Sequence, residues 1–211
     1  MKWKIGPGIF LPPLLLLLCD RYEMAIGYLL AVSVHECGHL FAVRLVGGCV
    51  VGIRFGLTGG MISCRRLRSY GREIAVALAG VICNGIAAYL LSLAGMYTGR
   101  EMWYLFAGIQ LALGGFNLLP VPSLDGGNAL YAVLCLLTDL DTAYAAIQRL
   151  GFVISFVLIG FGVYIFGKTR YNGSMLLCGV SLFASCLQEQ RAVPNCLKGT
   201  NLIYAEYAEE A

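Results

Sequence analysis

Two histidines and a glutamate lie inside a long apolar run, A-V-S-V-H-E-C-G-H-L-F-A-V, at residues 31–43. On a helix, His35 and His39 lie on one face, about 40° from each other. Glu36 lies about 100° from His35, close enough to act on the same bound atom. H-E-x-x-H on a helix is typical of zinc peptidases, in which the imidazoles bind the metal and the glutamate is the general base. Cys37 projects from the opposite side of the helix and is not counted as a ligand.

These polar side chains are costly in an apolar segment. A charged group at the centre of a membrane helix costs about 2.5–3.5 kcal/mol on the insertion scale, so such residues usually face the bundle interior and serve a function. The alternative is a chance match, or polar residues that satisfy each other in a bundle core. The chain has only two histidines, and random placement would rarely give them this spacing with an acid after the first. The pattern therefore predicts a metal site.

The third metal ligand must come from elsewhere in the chain. A catalytic zinc ion takes three protein ligands and keeps one position open for water. Since no third histidine exists, the ligand must be a carboxylate or a cysteine. Besides Glu36, only Asp125 lies in an apolar context, in N-L-L-P-V-P-S-L-D-G-G. Its prolines cannot continue a helix and its glycines permit a sharp turn, which predicts a carboxylate on irregular backbone. The alternative role for Asp125 is to cap the following helix, and because a carboxylate has two oxygens, it could do both.

The composition predicts a membrane protein. Hydrophobic residues make up 59% of the 211 residues and charged residues only 13%, against about 25% charged in soluble domains. The net charge of +3 is small, and basic residues are expected beside membranes, so it does not indicate nucleic-acid binding. Nine cysteines without a C-x-x-C pair are more typical of small apolar side chains than of a disulfide framework.

The apolar runs predict an all-α polytopic membrane protein with about six transmembrane helices. The run 126–137 is too short to cross alone, so it is taken with 102–118 as a broken fourth helix. The other predicted spans are 4–19, 24–46, 74–96, 151–167 and 175–187. A small β-hairpin is predicted between the second and third helices, because residues 50–64 are rich in β-branched residues around a T-G-G turn signal. A plain cytoplasmic connector is the alternative for that segment.

The charge distribution predicts the orientation. With a cytoplasmic N-terminus, all but four of the 15 Lys and Arg residues lie on the cytoplasmic side, as the positive-inside rule favours. Both termini are then cytoplasmic. We expect a single intramembrane domain over residues 1–188, with its catalytic core at about 24–138, and a short cytoplasmic tail over 189–211.

Taken together, the motifs closely resemble those of the site-2 protease family of intramembrane zinc metalloproteases. H-E-C-G-H and S-L-D-G-G match the family's H-E-x-x-H and L-D-G signatures, and A-G-V-I-C-N at 79–84 is similar to its third-helix A-G-P-x-x-N. Val81 and Ser123 stand where the family usually has proline, which affects local backbone shape rather than zinc binding. The resemblance implies the zinc ligands His35, His39 and Asp125, the catalytic residue Glu36, and two polar core residues, Asn117 and Asn84, that could donate hydrogen bonds to the substrate backbone.

The resemblance also implies a function. A site-2 protease is a zinc endopeptidase that cleaves the transmembrane segment of a membrane-protein substrate within the lipid bilayer, after that segment unwinds. The compact layout, with one helix before the H-E-x-x-H helix and no PDZ-like insertion, resembles the bacterial branch that processes sporulation sigma-factor precursors. The expected substrate is therefore a membrane-bound sigma-factor precursor or an anti-sigma factor.

Two other classes of protein remain open from the sequence. A metal-binding pseudoprotease or membrane chaperone would bind partners without cutting them, although such a protein would not need to keep Glu36. A metal transporter or channel usually shows inverted repeats or several polar sites along a path, whereas this chain shows one.

Overall fold

The computed structural model describes residues 2–5, 21–56, 59–65, 69–170 and 173–189. These residues form six helices and three short strands. In chain order, the elements are β1 (Lys2–Ile5), α1 (Tyr22–Leu45), β2 (Cys49–Gly56), β3 (Gly59–Arg65), α2 (Tyr70–Thr98), α3 (Glu101–Asn117), α4 (Asp125–Leu137), α5 (Leu140–Thr169) and α6 (Ser174–Glu189).

The prediction of a helical membrane protein is confirmed. Among the described residues, α1, α2 and α5 are long and apolar enough to cross a membrane. Their outer faces carry large exposed apolar side chains such as Phe156 and Phe161, which are 61% and 53% exposed. A water-soluble protein rarely exposes contiguous apolar surface of this kind, whereas a lipid environment requires it.

Because two of the helices are short, the number of transmembrane spans stays a prediction. Helix α3 has 17 residues and α4 has 13, and each is shorter than the about 20 residues that cross a bilayer. Residues 118–124, which we call the break, separate the two helices. The crossing of α3 and α4 as one broken helix therefore stays a prediction, as does the total of six.

The three strands form one sheet in the order β1-β2-β3, with β1 parallel and β3 antiparallel to β2. Lys4 pairs with Arg54 in this sheet, so the start of the first predicted span at residue 4 was wrong. The rest of that span lies outside the described residues, apart from residue 5 in β1. Residues 57–58 between β2 and β3, and 190–211 of the predicted tail, also lie outside them. The hairpin turn and the tail stay predictions.

Helix α2 contacts α1, α3 and α4 and organises the bundle. Glycines permit these close approaches. A Cβ at Gly38 of α1 would lie 2.8 Å from Cys83 Sγ and 2.9 Å from the Ala79 carbonyl oxygen of α2. At the other contact, a Cβ at Gly114 of α3 would lie 3.4 Å from Cβ of Asn84. The helices that carry the candidate site residues therefore meet at short backbone distances.

The break is enclosed by the last two helices. Val121 and Leu124 are fully buried in one cluster with Leu182 and Cys186 of α6. Gly151 of α5 leaves space for the ring of Pro122, because a Cβ there would lie 2.7 Å from the proline Cδ. Irregular backbone at membrane depth is tolerated where protein buries it. Packing against α5 and α6 supplies that burial here.

Candidate metal centre

The two histidines of α1 face a single stripe of α2. His35 and His39 are 5% and 7% exposed, and their rings meet edge to face with centroids 4.7 Å apart. Gly80 of α2 lies directly opposite. A Cβ at this position would lie 2.5 Å from Nε2 of His39 and 2.8 Å from Cε1 of His35. The absence of a side chain at residue 80 therefore creates the space that the imidazoles occupy.

Each histidine is oriented through its Nδ1 atom by a different residue of α2. His39 Nδ1 lies 2.8 Å from the backbone carbonyl oxygen of Val76, and His35 Nδ1 lies 3.2 Å from Oδ1 of Asn84. A carbonyl oxygen can only accept, so His39 must donate from Nδ1–H. This protonation leaves a lone pair on Nε2. Metal-binding histidines are oriented through the second ring nitrogen in the same way.

Asp125 reaches this pair from the N-terminus of α4. It is the first residue of that helix, whose N-cap residue is Leu124, and no side chain caps the helix. The alternative role of Asp125 as an N-cap is therefore wrong. A Cβ at Gly126 would collide with the carbonyl group of Leu118, and one at Gly127 with that of Val121. The first turn of α4 is therefore folded tightly against the break, and this contact directs the carboxylate toward α1.

The three side chains converge on one point. Oδ2 of Asp125 lies 2.8 Å from Nε2 of His35 and 3.2 Å from Nε2 of His39, and the two Nε2 atoms lie 3.1 Å apart. In a tetrahedral zinc site with ligands at about 2.0–2.1 Å, the ligand atoms are about 3.3 Å apart. The observed separations are all slightly shorter than this and match one face of that tetrahedron to within about half an ångström. The fourth position of such a site would remain for water.

The chemistry of this group also fits a metal. Two imidazole lone pairs and a carboxylate oxygen within 3.2 Å of one another are all acceptors, and such a group is stable in a buried site only around a cation or a shared proton. Two nitrogen ligands and one carboxylate oxygen, with one open position, form a set that catalytic zinc uses. Among the described residues, this is the group of histidine, cysteine and acidic side chains that could hold a metal.

Glu36 lies beside this group. It is half-buried. Because it follows His35 directly on α1, it stands on the helix flank next to the ligand-bearing face. The position suits a group that acts on a ligand of the metal.

The structure places the two predicted asparagines differently from each other. Asn84 is fully buried and contacts His35, not an open surface where a substrate could lie. Asn117 is the last residue of α3; it is half-buried, and its Nδ2 donates to the backbone carbonyl of Leu113 at 3.1 Å. Neither asparagine belongs to the group of three side chains that could hold a metal.

Sequence reasoning did not identify Val76 and Gly80 as parts of the site. Val76, Gly80 and Asn84 are spaced four residues apart and therefore lie on one face of α2. They meet His39 and His35 in antiparallel order. The A-G-V-I-C-N motif contained part of this signal, since Gly80 precedes Asn84 by one turn. The backbone role of Val76 had no signal, because any residue offers a carbonyl.

Cys37 lies on a different surface from the candidate metal ligands. It is an exposed free thiol and lines an apolar groove of about 490 Å³ between α1 and α2, together with Gly38 and Cys83. Neither histidine nor Asp125 lines this groove. The prediction that Cys37 points away from the ligand face agrees with this placement.

Comparisons with known proteins find relatives that are named zinc metalloproteases. No family model matches the chain. It is 26% identical over 168 residues to "Zinc metalloprotease MJ0392" of Methanocaldococcus jannaschii, and the aligned region covers 77% of this chain and 48% of the relative. It is 29% identical over 183 residues to "Putative zinc metalloprotease Rip3" of Mycobacterium tuberculosis, and the aligned region covers 80% of this chain and 46% of the relative. The chain thus spans about half the length of the curated relatives it matches.

A solved structure matches over most of both chains. The fold is similar to that of "Site-2 Protease from Methanocaldococcus jannaschii", with a TM-score of 0.72 and 89% of each chain covered. The sequence identity in this comparison is 20%, so it establishes the arrangement of the helices alone.

Proposed function

Because the chain belongs to the site-2 protease family, we propose that it is an intramembrane zinc metalloprotease. It hydrolyses a peptide bond in or near the transmembrane segment of a substrate. The observation that carries the proposal is the convergence of His35, His39 and Asp125. Asp125 lies 86 residues beyond His39 in the chain, yet its carboxylate lies within 3.2 Å of both imidazoles.

His35, His39 and Asp125 are the proposed zinc ligands, and the fourth position is left for water. A zinc ion bound there would lower the pKa of a bound water from 15.7 to about 7 and would polarise the scissile carbonyl. The Nδ1 contacts to Asn84 and Val76 hold the imidazoles in position. Burial of the three side chains keeps bulk water away from the reacting groups.

Glu36 is the proposed general base and acid. Its carboxylate accepts a proton from the attacking water and then delivers that proton to the amide nitrogen that leaves. A glutamate that is not a ligand can do both, because neither carboxylate oxygen is held by the metal. The half-buried position of Glu36, directly after His35 on α1, supports this role.

The site is proposed to lie inside the lipid layer. His35 precedes Arg44 by nine residues, or about 13 Å along the axis of α1. With Arg44 at the cytoplasmic surface and both termini cytoplasmic, the metal lies at or on the cytoplasmic side of the midplane. Water then enters the site, and the product leaves it, from the cytoplasmic side beside the break. Asn117, at the end of α3, could donate a hydrogen bond to a substrate segment there.

We propose a membrane-bound sigma-factor precursor or an anti-sigma factor as the substrate. Within the described residues between His39 and Asp125, the chain forms two short strands, α2 and α3. An inserted recognition domain of the PDZ type has no place there. The resemblance of this compact layout to the sporulation branch of the family supports the proposal.

Proteolysis of a membrane substrate by the detergent-purified protein tests the function. We expect cleavage by the wild type, none after zinc is removed with a chelator, and recovery when zinc is restored. Glu36→Gln should abolish cleavage while zinc stays bound, because the amide cannot accept the proton. Glu23→Gln is the matched control, since Glu23 lies on the same helix at an exposed position.

Each alternative class gives a different result. A pseudoprotease or chaperone would bind zinc and the substrate without cutting, and a transporter would move zinc across proteoliposomes. Cleavage by Glu36→Gln at the wild-type rate would contradict the proposed mechanism. Mapping the cut by mass spectrometry tests the orientation, because a site in the extracytoplasmic flank of the substrate is incompatible with cytoplasmic termini.

A further inference from the structure

We infer that Asn84 is a positioning residue that sets the tautomer of His35, and that it does not contact the substrate. The inference rests on the proposed zinc site, because it concerns which nitrogen of His35 faces the metal. It follows from the contacts of Asn84 on both sides of its amide group.

Asn84 is enclosed where three helices meet. Its side chain is fully buried. From α2, its Oδ1 contacts Nδ1 of His35 on α1 at 3.2 Å, and its Nδ2 contacts the backbone carbonyl oxygen of Gln110 on α3 at 3.4 Å. Gly114 of α3 lies against its Cβ. A substrate backbone has no free path to this amide while the helices stay packed.

The contact with α3 decides which way the amide points. A carbonyl oxygen accepts hydrogen bonds and never donates, so the Gln110 carbonyl requires the NH₂ end of Asn84 on its side. The oxygen end of the amide must then face His35. The reverse orientation would place two acceptor oxygens against each other in a buried site, which costs free energy.

The orientation of the amide in turn decides the protonation of His35. Since Oδ1 of Asn84 is an acceptor, Nδ1 of His35 must carry the hydrogen, and Nε2 must carry the lone pair. In the other tautomer, the Nε2 hydrogen would point at Oδ2 of Asp125, 2.8 Å away. That hydrogen would block one of the three ligand positions. The backbone of α3 therefore acts on the metal site through Asn84 and His35.

The second histidine supplies an internal control. His39 donates from Nδ1 to the backbone carbonyl of Val76 at 2.8 Å, a contact that side-chain substitution cannot remove. A substitution of Asn84 should therefore shift the ring signals of His35 and leave those of His39 unchanged. A general loss of structure would affect both rings.

Nitrogen NMR of the imidazoles tests this inference. The chain has only two histidines, so ¹⁵N-histidine labelling of the zinc-loaded protein in detergent gives two rings to observe. In the wild type, we expect both rings to be protonated at Nδ1. A wild-type ring protonated at Nε2 would overturn the inference without any variant. Failure of the wild type to bind zinc would instead contradict the proposed function.

Two variants of Asn84 separate the loss of its hydrogen bond to His35 from a change in helix packing. Asn84→Leu keeps the size but removes the acceptor, so the Nδ1–H of one zinc-bound ring should lose its hydrogen bond and its ¹⁵N signal should shift, and zinc affinity should fall about 10- to 100-fold. Asn84→Asp keeps an acceptor for Nδ1–H, so the tautomer should be retained. Gln148→Leu is the control for loss of a buried amide, since Gln148 is 5% exposed on α5, and it should bind zinc as the wild type does.

Two outcomes would overturn the inference. One is wild-type zinc affinity with unchanged ring signals in Asn84→Leu. The other is loss of the Nδ1-protonated ring in Asn84→Asp, a test that remains available if Asn84→Leu does not fold. A substrate contact by Asn84 would instead raise the KM for the substrate while zinc affinity and both tautomers stayed unchanged.

Discussion

Helices α4 and α5 both begin at an aspartate, and the two aspartates do opposite things. Asp139 is the exposed N-cap of α5; its carboxylate accepts from the backbone N–H of Thr142 at 2.9 Å and from its hydroxyl at 2.8 Å. Leu124, not Asp125, is the N-cap residue of α4, and the Asp125 carboxylate contacts His35 and His39 instead. The same residue type at a helix start is thus a local structural element in one place and part of a candidate metal centre in the other.

The difference between the two aspartates lies in what surrounds them. Asp139 is fixed by residues three positions away, and water solvates it. Asp125 is mostly buried, and both of its side-chain contacts come from α1, at least 86 residues away in sequence. A buried carboxylate is costly unless it is paired, so a position that gives up the local hydrogen bonds points to a partner elsewhere. Four substitutions test this contrast, in order of decreasing expected effect on zinc.

Gly127→Ala should have the largest effect. Its Cβ would collide with the backbone carbonyl of Val121, which cannot rotate away as a side chain could, so the first turn of α4 must move and take Asp125 with it. We expect loss of stoichiometric zinc, measured by metal analysis of the purified protein. The control is Gly160→Ala on α5, where an added Cβ has no neighbour within 4 Å. Wild-type zinc content in Gly127→Ala would show that the tight turn does not place Asp125.

Asp125→Ala paired with Asp139→Ala tests the contrast itself. Removal of a metal ligand should weaken zinc binding by more than about 100-fold, or about 2.7 kcal/mol, beyond the range for residues that only support ligands. Asp139→Ala should leave zinc affinity unchanged. Competition with a chromophoric chelator measures both. Equal affinity in the two variants would remove Asp125 from the site.

Gly80→Ala should lower zinc affinity by less than Asp125→Ala does. The added Cβ would lie 2.5 Å from Nε2 of His39 and 2.8 Å from Cε1 of His35, but the imidazole rings can shift by some tenths of an ångström. We expect zinc affinity to fall about 10- to 100-fold, as for other changes that misalign ligands. Gly85→Ala, on the same helix and without a neighbour within 4 Å, is the control. Unchanged affinity in Gly80→Ala would mean that α1 alone positions its histidines.

Asp139→Ala should affect stability alone, and only slightly. The hydrogen bonds from Thr142 lower the pKa of Asp139 below its usual value. A lowered pKa in the folded chain means that the stabilisation is present above the unfolded pKa of about 3.9 and is lost as pH falls through the folded value. The wild type should therefore unfold at a slightly higher temperature than Asp139→Ala at pH 7, and the difference should vanish in strong acid. A difference that persists there would show that capping by the carboxylate is not its cause.

The candidate ligands were predictable because their chemistry is local or unusual. Residues four apart on a helix share a face whatever the fold, so His35 and His39 could be paired from spacing alone. Asp125 stood out because, besides Glu36, it was the carboxylate that lay in an apolar stretch of the sequence. The surroundings of Asn84 were not predictable, since the A-G-V-I-C-N motif does not show that Gln110 and His35 enclose its amide.

The sequence by itself determined the helical membrane fold, the pair of histidines, and the position of the break between α3 and α4. These features follow from hydrophobicity, helical periodicity and the backbone limits of proline and glycine, all of which act over a few residues. Only the tertiary structure decided that Asp125 meets the histidines rather than capping α4, and that Gly80, Val76 and Asn84 orient the two imidazoles. Those outcomes depend on which helices approach each other and how closely, and packing across distant parts of the chain sets that approach.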